Sequence, residues 1–171
     1  MRAVRARYGV LCLVLAMAAT VVCLFPPTLT DDVSADSAEN YEVTGDVGTP
    51  AAYGSLADAF KSINDYMGGP NYTITVKGDD AITYAFSLDA DKNVTLTSAD
   101  GNTFKLTVPS SVRHGSVNGN LILENIILDG NSTAGGIEIK SGGSLTMNDG
   151  SVIQNCLSPG VTGGGVYVNE N

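Results

Sequence analysis

The segments Asn71-Tyr-Thr-Ile-Thr75, Asn93-Val-Thr-Leu-Thr97, Asn120-Leu-Ile-Leu-Glu124 and Ser144-Leu-Thr-Met-Asn148 share one template: polar, apolar, mostly Thr, apolar, polar. The template returns after 22, 27 and 24 residues. Alternation with period two marks a strand with one buried face. A second column, Phe86/Leu88, Leu106/Val108, Ile137/Ile139 and Val166/Val168, returns at intervals of 20, 31 and 29, and a weaker third holds Ile126-Ile127-Leu128 and Val152-Ile153. Three strand columns recurring together predict a parallel β-helix, in which each coil stacks on the one below at about 4.8 Å. Tyr72, Val94, Leu121 and Leu145 then stack inside, beside Ile74, Leu96, Leu123 and Met147. Asn71, Asn93, Asn120 and Ser144 line one corner, where their side chains can hydrogen-bond up and down the stack. Gly135-Gly136, Gly142-Gly143 and Gly163-Gly164-Gly165 are expected to turn corners at positive φ. The rival is a β-sandwich, with Asp100-Gly101 and Asp129-Gly130 as hairpin turns.

One amphipathic helix is predicted ahead of the strands, from about Ser55 to Met67. Ser55 and Asp58 form an acidic capping box, Leu56, Ala59, Phe60, Ile63 and Met67 share one face, and Gly68-Gly69-Pro70 ends the helix. Arg2, Arg5 and Arg7 precede an uncharged stretch from Tyr8 to Phe25 that stops at Pro26-Pro27. This is the pattern of a secretory signal, with Val33-Ser34-Ala35 as the cleavage site. An uncleaved anchor, Arg residues inside and Asp31-Asp32 outside, is the rival reading. Residues 1–35 are therefore a signal peptide or membrane anchor, 36–52 a linker, and 53–171 a capping helix with about four coils. No polar cap is visible after Val166–Val168, which predicts that the coils are cut short at residue 171.

The chain of 171 residues carries a formal charge of −9, and after Ala35 sixteen acids face six bases. That balance disfavours nucleic acid and anionic membrane surfaces as partners, and leaves membrane contact to the N-terminal segment alone. Cys12 and Cys23 fall in the leader, so Cys156 has no internal partner and no disulfide framework holds the fold. A buried, reduced thiol is the expected state.

Asn120-Leu-Ile-Leu-Glu-Asn-Ile-Ile-Leu-Asp-Gly-Asn131 and the Gly-Gly-Gly-Val-Tyr-Val segment at 163–168 resemble right-handed β-helix, pectin-lyase-like proteins. The Gly-Gly-φ-x-φ and Gly-Ser-Val-Ile-Gln-Asn elements resemble repeats of large prokaryotic adhesin-like and polymorphic outer-membrane proteins, which often begin with a signal and a short capping helix. The resemblance covers about 53–171. It implies an all-β, right-handed parallel β-helix exported to the cell surface or beyond. The expected role is an adhesin-like scaffold presenting loops or outer strand faces to glycans or proteins of other cells. The alternative is the N-terminal part of a polysaccharide lyase or glycoside hydrolase with its catalytic coils beyond residue 171. A third reading is a nonfunctional fragment.

A lyase of this kind would need acidic Ca²⁺ ligands beside an Arg or Lys base. Asp79, Asp80, Asp89, Asp91 and Asp100 fall in different loops, where Asp ordinarily solvates turns, and Lys105, Arg113 and Lys140 are separated. Hydrolysis needs two carboxylates across a groove. Glu124, Asp129, Glu138 and Asp149 are the acids of the regular coils, and Glu124 has Thr97 and Asn148 as its in-register neighbours. No catalytic, cofactor or metal residue is assigned, and no cofactor is expected. His114, between Arg113 and Gly115, is expected to be a solvated loop residue. Of the sequons at Asn71, Asn93 and Asn131, only Asn131 lies outside the strand template. Thr73, Thr95, Thr146 and Glu124 are expected on the outer face.

Overall fold

The computed structural model describes residues 39–46, 48, 50–109, 112–157 and 164–169. The leader (1–35) and most of the segment expected to lack a polar cap (158–163, 170 and 171) lie outside the described residues.

The chain runs β1 (Tyr41–Gly45), β2 (Ala51–Tyr53), α1 (Leu56–Asp65), β3 (Asn71–Val76), β4 (Asp80–Ala81) and β5 (Phe86–Leu88). Then follow β6 (Asn93–Ser98), β7 (Phe104–Thr107), β8 (Gly115–Val117), β9 (Asn120–Glu124), β10 (Ile126–Asp129) and β11 (Ile137–Ile139). The last are β12 (Ser144–Met147), β13 (Val152–Gln154) and β14 (Val166–Val168). Three sheets result, in the orders β2-β1-β3-β6-β9-β12, β4-β7-β10-β13 and β5-β8-β11-β14. Apart from β1 and β2, every pairing is parallel. Successive strands thus pass from sheet to sheet, and each coil adds one rung to all three: a β-solenoid. The sandwich is excluded by that topology, since the turn at Asp129-Gly130 joins strands of different sheets.

The first column has the register that the template predicts. Asn71 pairs with Asn93, Asn93 with Asn120 and Asn120 with Ser144, and the inner residues follow in step. Tyr72, Ile74, Val94, Leu96, Leu121 and Leu123 are buried. The period-two alternation is therefore a true inside–outside alternation. On the last rung Leu145 is half-buried and Met147 is 45% exposed, because no described strand stacks above them.

The other two columns need correction. Leu106 pairs with Leu128 in the middle sheet, as part of β7, and does not stack on Phe86. The rung above Phe86 is Gly115-Ser116-Val117, with Phe86 opposite Gly115 and Leu88 opposite Val117. A Cβ at Gly115 would lie 2.5 Å from the Phe86 ring, so the bulk of that aromatic leaves room only for glycine above it. The strand consequently shows one apolar side chain and escapes a periodicity reading.

The first coil is covered by segments of both kinds. Ser55 Oγ accepts from the Asp58 N–H at 3.1 Å and donates to the Asp58 carboxylate at 2.7 Å, which fixes the start of α1. Leu56, Ala59, Phe60 and Ile63 are buried. The helix stops at Asp65, where the Tyr66 N–H turns back to the Ile63 carbonyl, so Met67 is not on its apolar face but 95% exposed. The linker assignment also fails over part of 36–52. Strand β1 lies antiparallel on β3, with Tyr41 and Val43 fully buried, and β2 closes the hairpin. Tyr41 and Val43 are a two-residue alternation too short to stand out, yet they cover the otherwise open edge of the first rung.

Glycine serves the corners differently from expectation. Gly142 does take a positive φ of 83°, but Gly135, Gly136 and Gly143 are not among the positive-φ residues. At Gly136 a Cβ would fall 1.8 Å from the Gly165 carbonyl oxygen, so close backbone approach between coils is what excludes a side chain there. The left-handed corners fall instead to Asn125, Asn131 and Asn155, residues that tolerate this region.

Candidate functional site

The outward face of the first sheet carries two aligned rows of side chains. At its corner, Asn93 Nδ2 donates to Asn71 Oδ1 at 3.0 Å, Asn120 Nδ2 to Asn93 Oδ1 at 2.6 Å, and Ser144 Oγ to Asn120 Oδ1 at 2.7 Å. Each amide is held from above or below, so the row is fixed in orientation as well as position. Alongside it runs the column Thr44, Thr73, Thr95, Ile122 and Thr146, in register across five strands. A parallel column holds Glu42, Thr75, Thr97 and Glu124. Lys77 pairs with Glu42 at 2.8 Å, and the Asp46 carboxylate accepts the Asn71 N–H at 2.8 Å at the start of the ladder. An open groove of about 250 Å³ lies against this face, bordered by Gly45, Asn71, Thr73, Asn93, Thr95 and Ile122. It offers hydroxyls, amides and one aliphatic side chain at the rung spacing of about 4.8 Å.

Of the loop acids, Asp79, Asp80 and Asp91 have polar or charged partners. Asp79 accepts the Lys105 N–H at 2.8 Å. Asp80 accepts the Tyr41 hydroxyl at 2.5 Å and the Ala81 N–H at 2.7 Å. Burial, then the hydrogen bond to Asp80 and its charge, push the Tyr41 phenol far above its ordinary value. Asp91 lies 3.3 Å from the Lys92 ammonium, which also donates to the Tyr66 carbonyl at 2.8 Å. The guanidinium of Arg113 stands 5.4 Å from the Tyr167 ring centre. Glu138 faces the Asn169 amide at 3.5 Å. Among the described residues, no three His, Cys, Asp or Glu side chains gather as a metal-ion group.

Two groups escaped the sequence reading. His114 is not a solvated loop residue: it is fully buried, with Nδ1 at 3.1 Å from the Gly135 carbonyl oxygen and Nε2 at 3.2 Å from that of Leu106. Its backbone N–H meets the Gly135 and Gly136 carbonyls and its carbonyl accepts from Phe86, so it sits in the stack just ahead of β8. Burial pushes the imidazole pKa down, against the raising effects of the two carbonyls and of Asp129. The signal available was position: His114 immediately precedes the unrecognised rung.

Asp129 is the second, only 6% exposed at the end of β10. It accepts from the Asn131 N–H at 2.8 Å, from Gln154 Nε2 at 2.9 Å, and from Asn155 Nδ2 at 3.1 and 3.2 Å. Burial pushes this carboxyl up, but those donors and the charge of Lys105 outweigh it and hold the group below its usual range. The two side-chain partners come from the next coil, since Gln154 is the in-register neighbour of Asp129. Cys156 is half-buried rather than buried, with Sγ 3.2 Å from the Gln154 carbonyl, and burial raises its thiol pKa. Asn131 is exposed at a φ of 51°, outside the ladder that engages the amides of Asn71 and Asn93.

Comparison of the chain with known protein families, with curated proteins and with solved structures finds no match.

Proposed function

We propose that this chain belongs to an exported, adhesin-like, right-handed β-helical scaffold that binds surface glycans or proteins of other cells through the outer face of its first sheet. The observation that carries the reading is the aligned array on that face, the Asn71–Asn93–Asn120–Ser144 ladder beside the Thr44–Thr73–Thr95–Ile122–Thr146 column. A rigid row of uncharged donors and acceptors suits an extended, hydroxyl- or amide-rich ligand bound by many weak contacts. Export rests on the Arg2–Phe25 pattern, and the pectin-lyase-like kinship on the residues at 120–131 and 163–168.

Binding of the fluorescently labelled protein to intact cells and to an immobilised glycan panel tests the reading. Saturable binding that falls about tenfold or more in a Thr73→Ala/Thr95→Ala double variant supports it. Binding unaffected by that variant, or no binding to either target, overturns it.

A further inference from the structure

We propose that Asn131 carries an N-linked sugar chain, and that Asn71 and Asn93, which share its Asn-x-Thr pattern, do not. An asparagine followed two places on by a hydroxyl residue is the acceptor pattern for N-glycosylation, and the acceptor belongs on a surface loop. Of the three copies, the fold places only the one at Asn131-Ser-Thr133 on such a loop.

The loop joins β10 of the second sheet to β11 of the third, and Asn131, Ser132 and Thr133 are all exposed between a buried Gly130 and a buried Ala134. Asn131 and Ser132 both take positive φ, 51° and 57°, which lifts the chain out of the coil. The backbone there is well held. The Asn131 N–H donates to Asp129 at 2.8 Å, that of Ser132 to the Asn155 carbonyl at 2.7 Å and that of Thr133 to the Gly130 carbonyl at 3.0 Å. The side-chain amide of Asn131, by contrast, has no hydrogen-bond partner among the described residues. A firm turn thus presents a free amide, on a corner away from the outer face of the first sheet.

Asn71 and Asn93 are placed differently. They open strands β3 and β6, pair in register, and are joined by the bond from Asn93 Nδ2 to Asn71 Oδ1 at 3.0 Å. Asn120 stacks on Asn93 in turn. A sugar on either amide would collide with side chains one rung away, at about 4.8 Å.

The donor required is a sugar chain joined through diphosphate to a membrane lipid. Asn131 Nδ2 bonds to the anomeric carbon, the bond from that carbon to the diphosphate oxygen breaks with its electron pair leaving on the diphosphate, and one amide proton passes to a base of the transferase. The proposal rests on the export read from Arg2–Phe25, because such donors are used outside the cytoplasm.

Mass spectrometry of the protein secreted or displayed by its own cells tests this. Trypsin puts the three sequons in separate peptides, Ser62–Lys77, Asn93–Lys105 and His114–Lys140. The expected result is a sugar mass on His114–Lys140 alone, which an N-glycan amidase removes while converting Asn131 to Asp. Thr133→Ala abolishes it and Thr133→Ser keeps it, both at an exposed position where the fold is unaffected. An exported protein with an unmodified His114–Lys140 peptide overturns the proposal and leaves export standing. An unmodified protein held in the cytoplasm overturns both. Sugar on either of the other peptides, or sugar on His114–Lys140 that survives Asn131→Gln, overturns the assignment to Asn131.

Discussion

Phe60 of the capping helix and Phe86 of the first coil stack face to face, with ring centres 4.2 Å apart and planes 11° from parallel. Both are buried, and Gly115 on the next rung leaves the space that the Phe86 ring fills. The pair is the joint between helix and solenoid. Phe60→Ala should destabilise the fold by about 3–5 kcal/mol in a urea titration, by opening a cavity under the helix. Gly115→Ala should also destabilise it, by about 1–3 kcal/mol, because its Cβ collides with the ring. Adding Phe86→Leu to Gly115→Ala should recover part of the second loss, since a smaller side chain relieves the clash. Additive losses in the double variant would show that the two positions do not share the space.

The first sheet gives a contrast between faces on a single strand. Leu96 is fully buried between Ile74 and Leu123, whereas Thr95 points outward between Thr73 and Ile122. Leu96→Ala should cost about 2–5 kcal/mol and Thr95→Ala well under ~1 kcal/mol, read from denaturation midpoints at constant slope. Equal losses would contradict the assigned faces.

What was legible in the sequence follows from what kind of residue each position demands. The first column announced itself because its corner selects Asn or Ser and its interior selects aliphatics on every rung, so four copies of one template survive. The second column did not, because its second rung had to accommodate Phe86 and answered with Gly115, erasing the alternation that defines a strand. The hairpin at Tyr41 and Val43 was lost in a polar stretch, since only two side chains face the core. The Asn–Thr face was legible in outline, as outward positions and a stacked corner. By contrast, the burial of His114 and the cradle around Asp129 depend on which loops the stack brings together, and spacing along the chain does not encode that.

Asn93 is the middle of the corner ladder, donating to Asn71 and accepting from Asn120. Asn93→Ala removes both bonds at a half-exposed position, where water takes up the freed groups. The expected loss is about 1 kcal/mol. Asn93→Asp should cost more, because a carboxylate cannot donate and would face the Asn71 carbonyl oxygen while keeping only the bond from Asn120. Thermal unfolding at neutral pH ranks the two. If Asn93→Asp proved the milder change, the side chain of Asn93 would not be acting as a donor in the ladder.

His114 and Asp129 set the acid side of the stability profile in two separate windows. The buried imidazole has its pKa lowered in the folded protein, so the unfolded chain binds more protons as pH falls through about 6.5. Its contribution is complete above that value and is lost progressively below it. The neutral ring can donate to only one of the two carbonyls it faces, and charging it would satisfy both, but burial outweighs that gain. Asp129 is also depressed, and as an acid its contribution is present above about 3.9 and lost only below it. Urea midpoints measured from pH 7.5 downward should therefore begin to fall near ~6.5 in the parent chain. In His114→Gln the midpoint should be lower overall but flat until the carboxylate window. Asp129→Asn should keep the first decline and lose part of the second. A parent midpoint that rises on acidification through the first window would mean that the two carbonyls win and that His114 is held as the imidazolium.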